Sequence, residues 1–385
     1  MRGAAVDAAQ DTGVVIHAGC RDEVTARTGK ATSITAPPSI HLLRVTFPMA
    51  KVKPAALLPD TVIGGGYRIV RKLAAGGFGV VYQATDAAGL PVAIKEYLPA
   101  SLVTRAAGEL LPRVTSERLS LYRLGLKSFF EEGRALAQIS HPSVVSVLNF
   151  FRDNDTVYLV MNYLEGASLQ EFIVTAREQK QQKVFRESTI RSLFDEVLRG
   201  LRIVHQHKML HLDIKPANIF VTDDNRAVLI DFGAAREVLA KESNFVRPMY
   251  TPGFAAPEMY RRDAVLGPWT DIYAIGACIY ACMQGYPPYE APQRLDKDRL
   301  AASLGRLRGV YSDNLIDVVA WCMALDPLSR PQSVFALQKE LSRESELRYT
   351  RLTPREKMRM SFDAWVSALR KTLRGLAGLP AVKSR

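Results

Sequence analysis

The stretch that most restricts how this chain can fold is His211-Leu212-Asp213-Ile214-Lys215-Pro216-Ala217-Asn218, answered downstream by Asp231-Phe232-Gly233. An acid, a lysine and an amide at this spacing are what phosphoryl transfer from a magnesium-bound nucleotide requires. Asp213 can accept the proton of an attacking hydroxyl, and Lys215 can neutralise charge on the moving phosphoryl group. Asn218 and Asp231 can hold a hard cation through oxygen. Each residue alone reads as an ordinary turn cap; the two runs together do not.

The combination H-x-D-x-K-x-x-N followed by D-F-G is highly specific, and at these residues the chain resembles the eukaryotic-type protein kinase family. The resemblance implies a two-lobed α+β fold, with a small β-rich N-lobe and a large, mainly helical C-lobe. Upstream, Ala74-Ala75-Gly76-Gly77-Phe78-Gly79 lies between two strand-like runs, Tyr67 to Leu73 and Val80 to Thr85. Glycines let the backbone approach phosphate oxygens and expose N–H donors to them. Gly76, Gly79 and Val81 match the kinase glycine-rich loop, while Ala74 replaces its first glycine. Val92-Ala93-Ile94-Lys95 follows at the distance expected for the third strand. By resemblance, Lys95 contacts the α- and β-phosphates and Val81 and Ala93 sandwich the adenine ring. Leu73, Gly77 and Phe78 complete the nucleotide site from the N-lobe, and Met161, Asn162, Leu164 and Phe220 from the hinge and below.

Lys95-Glu96-Tyr97-Leu98-Pro99 resembles a bacterial serine/threonine kinase subgroup, and Glu96 to Ser128 reads as a connection longer than the family minimum, with a helical pattern from Leu119. Phe129 to Ile139 is the predicted regulatory helix. Its Glu132 matches the glutamate that the family pairs with the lysine, here Lys95. Glu131 lies about 100° round the helix and reads as a solvated acid. Tyr158 to Met161 reads as a strand, with Met161 at the gatekeeper position, and Asn162-Tyr163-Leu164 resembles the hinge. Ser188 to His205 has helical periodicity; His205 and His207 have no metal constellation around them. The activation segment runs from Gly233 to Ala256-Pro257-Glu258 and carries Ser243, Tyr250 and Thr251. Thr251 resembles the peptide-positioning threonine, which bonds the residues matched by Asp213 and Lys215. Asp271 is expected to bond the backbone of the catalytic loop, and Arg330 to pair with Glu258.

Composition narrows the partners. Hydrophobic residues make up 48% of the chain and charged residues 23%, ordinary values for a soluble globular protein. A net charge of +12 favours acidic partners such as nucleotide, acidic protein or anionic membrane. No nucleic-acid-binding signature is present, and no nucleic acid partner is expected. Cys20, Cys278, Cys282 and Cys322 make no metal spacing; Cys278 and Cys282 read as buried thiols, which fits a reducing compartment. Ile272 to Met283 is too short to span a bilayer and reads as a buried helix. The N-terminus lacks a secretory apolar region.

Residues 1–60 read as a disordered leader, with Met49 resembling an ordinary protein start. Residues 61–345 carry the family resemblance, as an N-lobe over 61–161 and a C-lobe over 165–345. Residues 346–385 form a basic tail in which Met358, Phe362, Trp365, Val366, Leu369 and Leu373 fall on one helical face. This tail is expected to dock on its own large lobe, on a partner or on an anionic membrane surface. The expected location is cytoplasmic, peripheral to the membrane where the tail docks there.

Together these features resemble an ATP-dependent protein serine/threonine kinase. The implied reaction moves the γ-phosphoryl group of ATP to Ser or Thr hydroxyls of protein substrates, with Asp213 as base. ATP and Mg²⁺ are the implied cofactors, with Mn²⁺ able to replace Mg²⁺. Lys215 after Asp213 favours Ser/Thr over Tyr. The rival is a catalytically weak pseudokinase acting as a nucleotide-binding scaffold, suggested by Ala74 and Leu212 and opposed by Lys95, Glu132, Asp213, Asn218 and Asp231. Leu212 stands where regulated members carry an arginine that an activation-segment phosphate neutralises. Leucine has no charge to offset, so activity is expected not to require that phosphate.

Overall fold

The computed structural model describes residues 54–179, 185–233 and 251–351. Most of the leader, Ser243, Tyr250 and the tail beyond residue 351 lie outside the described residues. The small lobe is built on an antiparallel six-stranded sheet. Its strands are β1 (Val62–Ile63), β2 (Tyr67–Ala75), β3 (Gly79–Thr85), β4 (Pro91–Tyr97), β7 (Val147–Asp153) and β8 (Thr156–Asn162), in the order β1-β2-β3-β4-β8-β7. Strict alternation drives β3: Val80, Tyr82 and Ala84 are buried and the residues between them are not. The β3–β4 turn is closed by the Asp86 carboxylate, which accepts from Ala88 N and Leu90 N at 2.9 and 2.8 Å. In register, Lys95 lies opposite Val81 on one side and Leu159 on the other, which sets it in the centre of the sheet.

The two ends of the sheet curl towards each other. Tyr67 stacks on Phe151 with ring centroids 5.6 Å apart, and Gly64 N donates to Asp153 Oδ2 at 2.9 Å. Gly64 has a left-handed φ of 57°, and a Cβ there would strike the Phe151 ring.

Between β4 and β7 the structure departs from the expected layout. A short hairpin, β5 (Val103–Thr104) and β6 (Arg113–Val114), precedes a single 21-residue helix, α1 (Ser116–Leu136). The helix expected over residues 129–139 is the second half of α1, and it stops at Leu136. Its first half, which buries Tyr122 and Gly125, holds the helical pattern read from Leu119, and the two runs are one continuous helix. Tyr97 at the end of β4 fastens α1 to the sheet. Its ring lies 5.5 Å from both Tyr122 and Phe129, and Phe130 meets Phe150 edge-on at 4.9 Å. Residues 54–60, expected within the leader, are also part of this lobe: Leu57 is buried and its N–H donates to Tyr82 Oη at 3.0 Å.

The large lobe is mainly helical. β9 (Gly166–Ser168), β10 (Ile219–Thr222) and β11 (Ala227–Leu229) form a small sheet under the cleft. Around it lie α2 (Leu169–Glu178), α3 (Glu187–Gln206), α4 (Pro268–Gln284), α5 (Ala291–Asp296), α6 (Leu300–Gly305), α7 (Asp313–Cys322) and α8 (Val334–Arg351). Ser168 and Glu171 cap α2 reciprocally. Every residue of α4 from Thr270 to Met283 is buried, as expected of a core helix, and Cys278, Cys282 and Cys322 are buried thiols. Gly276 lets α4 approach α7; a Cβ would press on the Cys322 side chain. Glu258 and Arg330 form the expected pair, bidentate at 2.8 and 3.0 Å and almost fully buried, with Thr270 Oγ1 donating to Glu258 at 2.9 Å. α8 continues past the boundary expected at residue 345. Among the described residues no helix is long and apolar enough to cross a membrane.

Tyr97 Oη is buried and makes no hydrogen bond among the described residues. Removing a desolvated hydroxyl without a partner is favourable, because nothing is lost with it. Tyr97→Phe is expected to raise stability by about 1 kcal/mol, seen as a higher midpoint in thermal denaturation. A lower midpoint would mean that the hydroxyl is bonded.

Candidate active site

The loop His211–Asn218 leaves α3 and is held from below by one carboxylate. Asp271, in the first turn of α4, accepts from His211 N at 2.9 Å, from Leu212 N at 2.8 Å and lies 2.8 Å from His205 Nε2. His205 is thus a half-buried structural partner of the loop, and Asp271 bonds the loop backbone as expected. Leu212 sits at a left-handed φ of 59°, and Asp231 at 60°. These are costly conformations for residues with a Cβ, and the bonds around them hold them in place. The His211 ring stacks on Phe232 at 4.3 Å, and Gly233 N donates to His211 O at 2.9 Å. The catalytic loop and the Asp231-Phe232-Gly233 turn are therefore tied together.

On that platform four side chains converge. Lys215 Nζ is 2.9 and 3.2 Å from the two oxygens of Asp213, and 3.2 Å from Thr251 Oγ1. Thr251 Oγ1 donates to Asp213 Oδ1 at 3.3 Å. Asn218 Nδ2 donates to the Asp213 side chain and backbone, both at 2.8 Å, and to Asp231 O at 3.3 Å. With Nδ2 so engaged, the amide oxygen of Asn218 is the atom suited to a cation. The donor set of that oxygen and the Asp231 carboxylate suits hard Mg²⁺.

Lys95 forms an ion pair with Asp231. Its ammonium lies 2.5 Å from Asp231 Oδ1 and 5.2 Å from the centre of the Phe129 ring. Asp231, with its left-handed backbone, thus brings its carboxylate against the lysine of β4. Glu132, which the resemblance pairs with Lys95, is buried and lines the same cleft. Glu131 is exposed and pairs with Arg134 one turn on, at 2.7 Å, as a solvated acid should.

The cleft has a volume of about 1080 Å³, room for a nucleoside triphosphate. Every residue expected to bind nucleotide lines it. Leu73, Val81 and Ala93 form the roof, Met161, Asn162 and Leu164 the back edge, and Phe220 the floor. Gly76, Gly77, Phe78 and Gly79 close the phosphate end; a Cβ on Gly79 would collide with Glu96 O. Lys215, Asn218, Asp231 and Thr251 also face the cleft. Val145, Leu159 and Ile230 are among the lining residues that were missed. Leu159 and Ile230 were legible in principle, the first as the β8 partner of Lys95 and the second as the residue before Asp231.

Residues 67–342 match the family model described as protein kinase domain. Serine/threonine-protein kinase PknL of Mycobacterium tuberculosis is 28% identical over 298 residues, covering 75% of this chain and 68% of that protein. A serine/threonine-protein kinase of Caenorhabditis elegans is 28% identical over 278 residues, 69% of this chain but only 26% of that protein. The chain therefore spans about a quarter to two thirds of the length of these relatives. Among solved structures, the apo form of PpkA-294 superposes with a TM-score of 0.65 at 33% identity, covering 74% of this chain and 99% of that one.

Two buried groups under the loop link the site to pH. Burial pushes the His211 imidazole below its usual 6.5, although the carboxylates of Asp271, Asp213 and Asp231 oppose this. Burial raises Asp271, but the His205 hydrogen bond and the neighbouring imidazoles outweigh it and hold the carboxyl below its usual range. The unfolded chain takes up a proton at His211 near pH 6.5 and the folded chain does not, so stability present above that pH is lost below it. His141, also lowered by burial, acts in the same window. The contribution of Asp271 is lost only at lower pH, as the solution falls through the ordinary Asp range of about 3.8. The thermal midpoint is expected to fall as pH drops from about 6.5 towards 5, and His211→Phe to make that slope shallower. An unchanged slope in the variant would show that His211 is protonated in the native state.

Proposed function

The chain belongs to the protein kinase family, and from that premise we propose that it transfers the γ-phosphoryl group of ATP to Ser or Thr hydroxyls of protein substrates. The observation that carries this reading is the cluster of Asp213, Lys215, Thr251 and Asn218, mutually bonded beside a nucleotide-sized cleft. Asp213 accepts the proton of the substrate hydroxyl as its oxygen attacks the terminal phosphorus of ATP. Lys215, bonded to both Asp213 and Thr251, places positive charge beside the incoming oxygen. Thr251 orients both and marks where the substrate backbone arrives. Lys95 positions the α- and β-phosphates. Asn218 and Asp231 would hold Mg²⁺, which supplies neutralisation of charge on the phosphates. Positioning and preorganised electrostatics account for the acceleration, and the preference for Ser/Thr rests on Lys215.

Asp213→Ala is expected to lower the rate of transfer by ~10²–10⁴-fold while ATP affinity is retained, since the base touches the hydroxyl and not the nucleotide. The assay is incorporation of labelled phosphate into protein, with ATP binding by titration. Equal incorporation by wild type and variant would refute the assignment. Lys95→Met is expected to silence the protein too, by loss of phosphate positioning.

Leu212 packs against the core, and its N–H is held by Asp271, so no cation at this position calls for an activation-segment phosphate. Phosphatase-treated protein and Ser243→Ala are expected to keep the initial rate of untreated protein on a peptide substrate. A large drop in either, restored by rephosphorylation, would show that another basic residue has taken the missing arginine's role.

A further inference from the structure

Arg105 is buried in the small lobe, directly after β5, and all five N–H groups of its guanidinium have acceptors. Nε donates to Ala55 O at 2.8 Å. Nη1 donates to Glu96 Oε1 at 2.5 Å and to Leu110 O at 3.2 Å, and Nη2 to Glu96 Oε2 at 2.8 Å and to Tyr82 Oη at 3.3 Å. Glu96 also accepts from Tyr82 Oη at 2.7 Å and Tyr158 Oη at 3.2 Å. Ala55 N returns a bond to Arg105 O at 2.9 Å. One guanidinium thus joins the segment before the sheet, strands β3 and β4 and the β5–β6 turn, and through Glu96 it reaches Tyr158 of β8. Glu96 follows Lys95 on β4, so strand alternation sends the two side chains to opposite faces of the sheet.

The chain between β4 and Arg105 also reaches the phosphate end of the cleft. Leu98 N donates to Phe78 O at 3.0 Å, and Ala100 N donates to Gly77 O at 2.9 Å. In a planar trans peptide the C=O and N–H point to opposite sides. Anchoring the carbonyls of Gly77 and Phe78 therefore turns the N–H groups of Phe78 and Gly79 away from the strap. Gly77, Phe78 and Gly79 line the cleft, and Leu98 and Ala100 do not.

We infer that Arg105 is a positioning residue for the nucleotide's phosphates: it fixes the Leu98–Arg105 strap, whose amides set the peptide planes of the Gly76–Gly79 loop. Residues 54–57 belong to the same device, because Ala55 and Leu57 complete the bonding of Arg105 and Tyr82. This rests on the reading of the cleft as a nucleotide site.

The test separates phosphates from base. Affinities of the full chain for Mg·ADP and for adenosine are measured by titration for wild type, Arg105→Met, Arg105→Lys and Ala100→Pro. Ala100→Pro removes only the N–H that holds Gly77 O, at a half-exposed position, and so reports even where Arg105→Met fails to fold. The expected result is a loss of Mg·ADP affinity of about five- to tenfold in Ala100→Pro, the worth of one hydrogen bond, with adenosine affinity within about twofold. Arg105→Met shifts in the same direction, and Arg105→Lys recovers part of the loss. Equal changes for both ligands in Ala100→Pro, or no change in either, would overturn the inference. Wild-type protein that binds neither ligand would instead overturn the nucleotide reading itself.

Discussion

The Asp271 carboxylate is the interaction on which the geometry of the site depends. It is fully buried in the first turn of α4 and accepts from two consecutive backbone amides, His211 and Leu212. Holding Leu212 in the left-handed region costs about 1–2 kcal/mol, and charge-assisted bonds to a buried carboxylate offset a cost of that size. Once Leu212 is fixed, Asp213 has one direction to face, and the stacked His211–Phe232 pair carries the constraint across to Asp231. A single acid on a core helix, distant from both in sequence, thus orders two neighbouring loops.

Each lobe has a second buried charge with a related task. In the large lobe Glu258 and Arg330 join the end of the activation segment to the chain before α8, helped by Thr270 and the carbonyl of Ala324. In the small lobe Glu96 and Arg105 join the sheet to the insertion that follows it. Burying such pairs is expensive, and their attraction offsets the desolvation only where every remaining donor and acceptor is satisfied. Arg105 meets that condition with all of its donors engaged. The stability gained is small beside the specificity, since a guanidinium fully bonded in one geometry permits one arrangement of the elements around it.

The catalytic loop and the glycine-rich loop were legible because their residue types are set by local chemistry, and the strand with Lys95 and the hinge through resemblance. Phosphate approach demands glycine, cation binding demands oxygen, and proton acceptance demands a carboxylate at a short spacing from a lysine. The Glu258–Arg330 and Asp271 contacts were legible only through resemblance. The extent of α1 was legible in part: a helical pattern shows from Leu119, but no residue marks that it runs on unbroken into the run from Phe129 to Leu136. The role of residues 54–57 was hidden as well: the bonds they give to Arg105 and Tyr82 come from backbone groups of Ala55 and Leu57, which leave no mark on residue type.

The sequence by itself determined which chemistry the chain can perform, since Asp213, Lys215, Asn218, Asp231, Lys95 and Thr251 are suited to phosphoryl transfer wherever they are brought together. It also determined the core helix over Ile272 to Met283 and the strands around the glycines, where periodicity and local propensity suffice. Only the tertiary structure decided which charges meet. Lys95 lies against Asp231, as the left-handed backbone of Asp231 aims its carboxylate at β4. Arg105 finds Glu96, Ala55 and Leu110 because the hairpin after β4 folds back over the sheet. Ion pairs between distant segments depend on the directions of both backbones, and residue type carries no record of those directions.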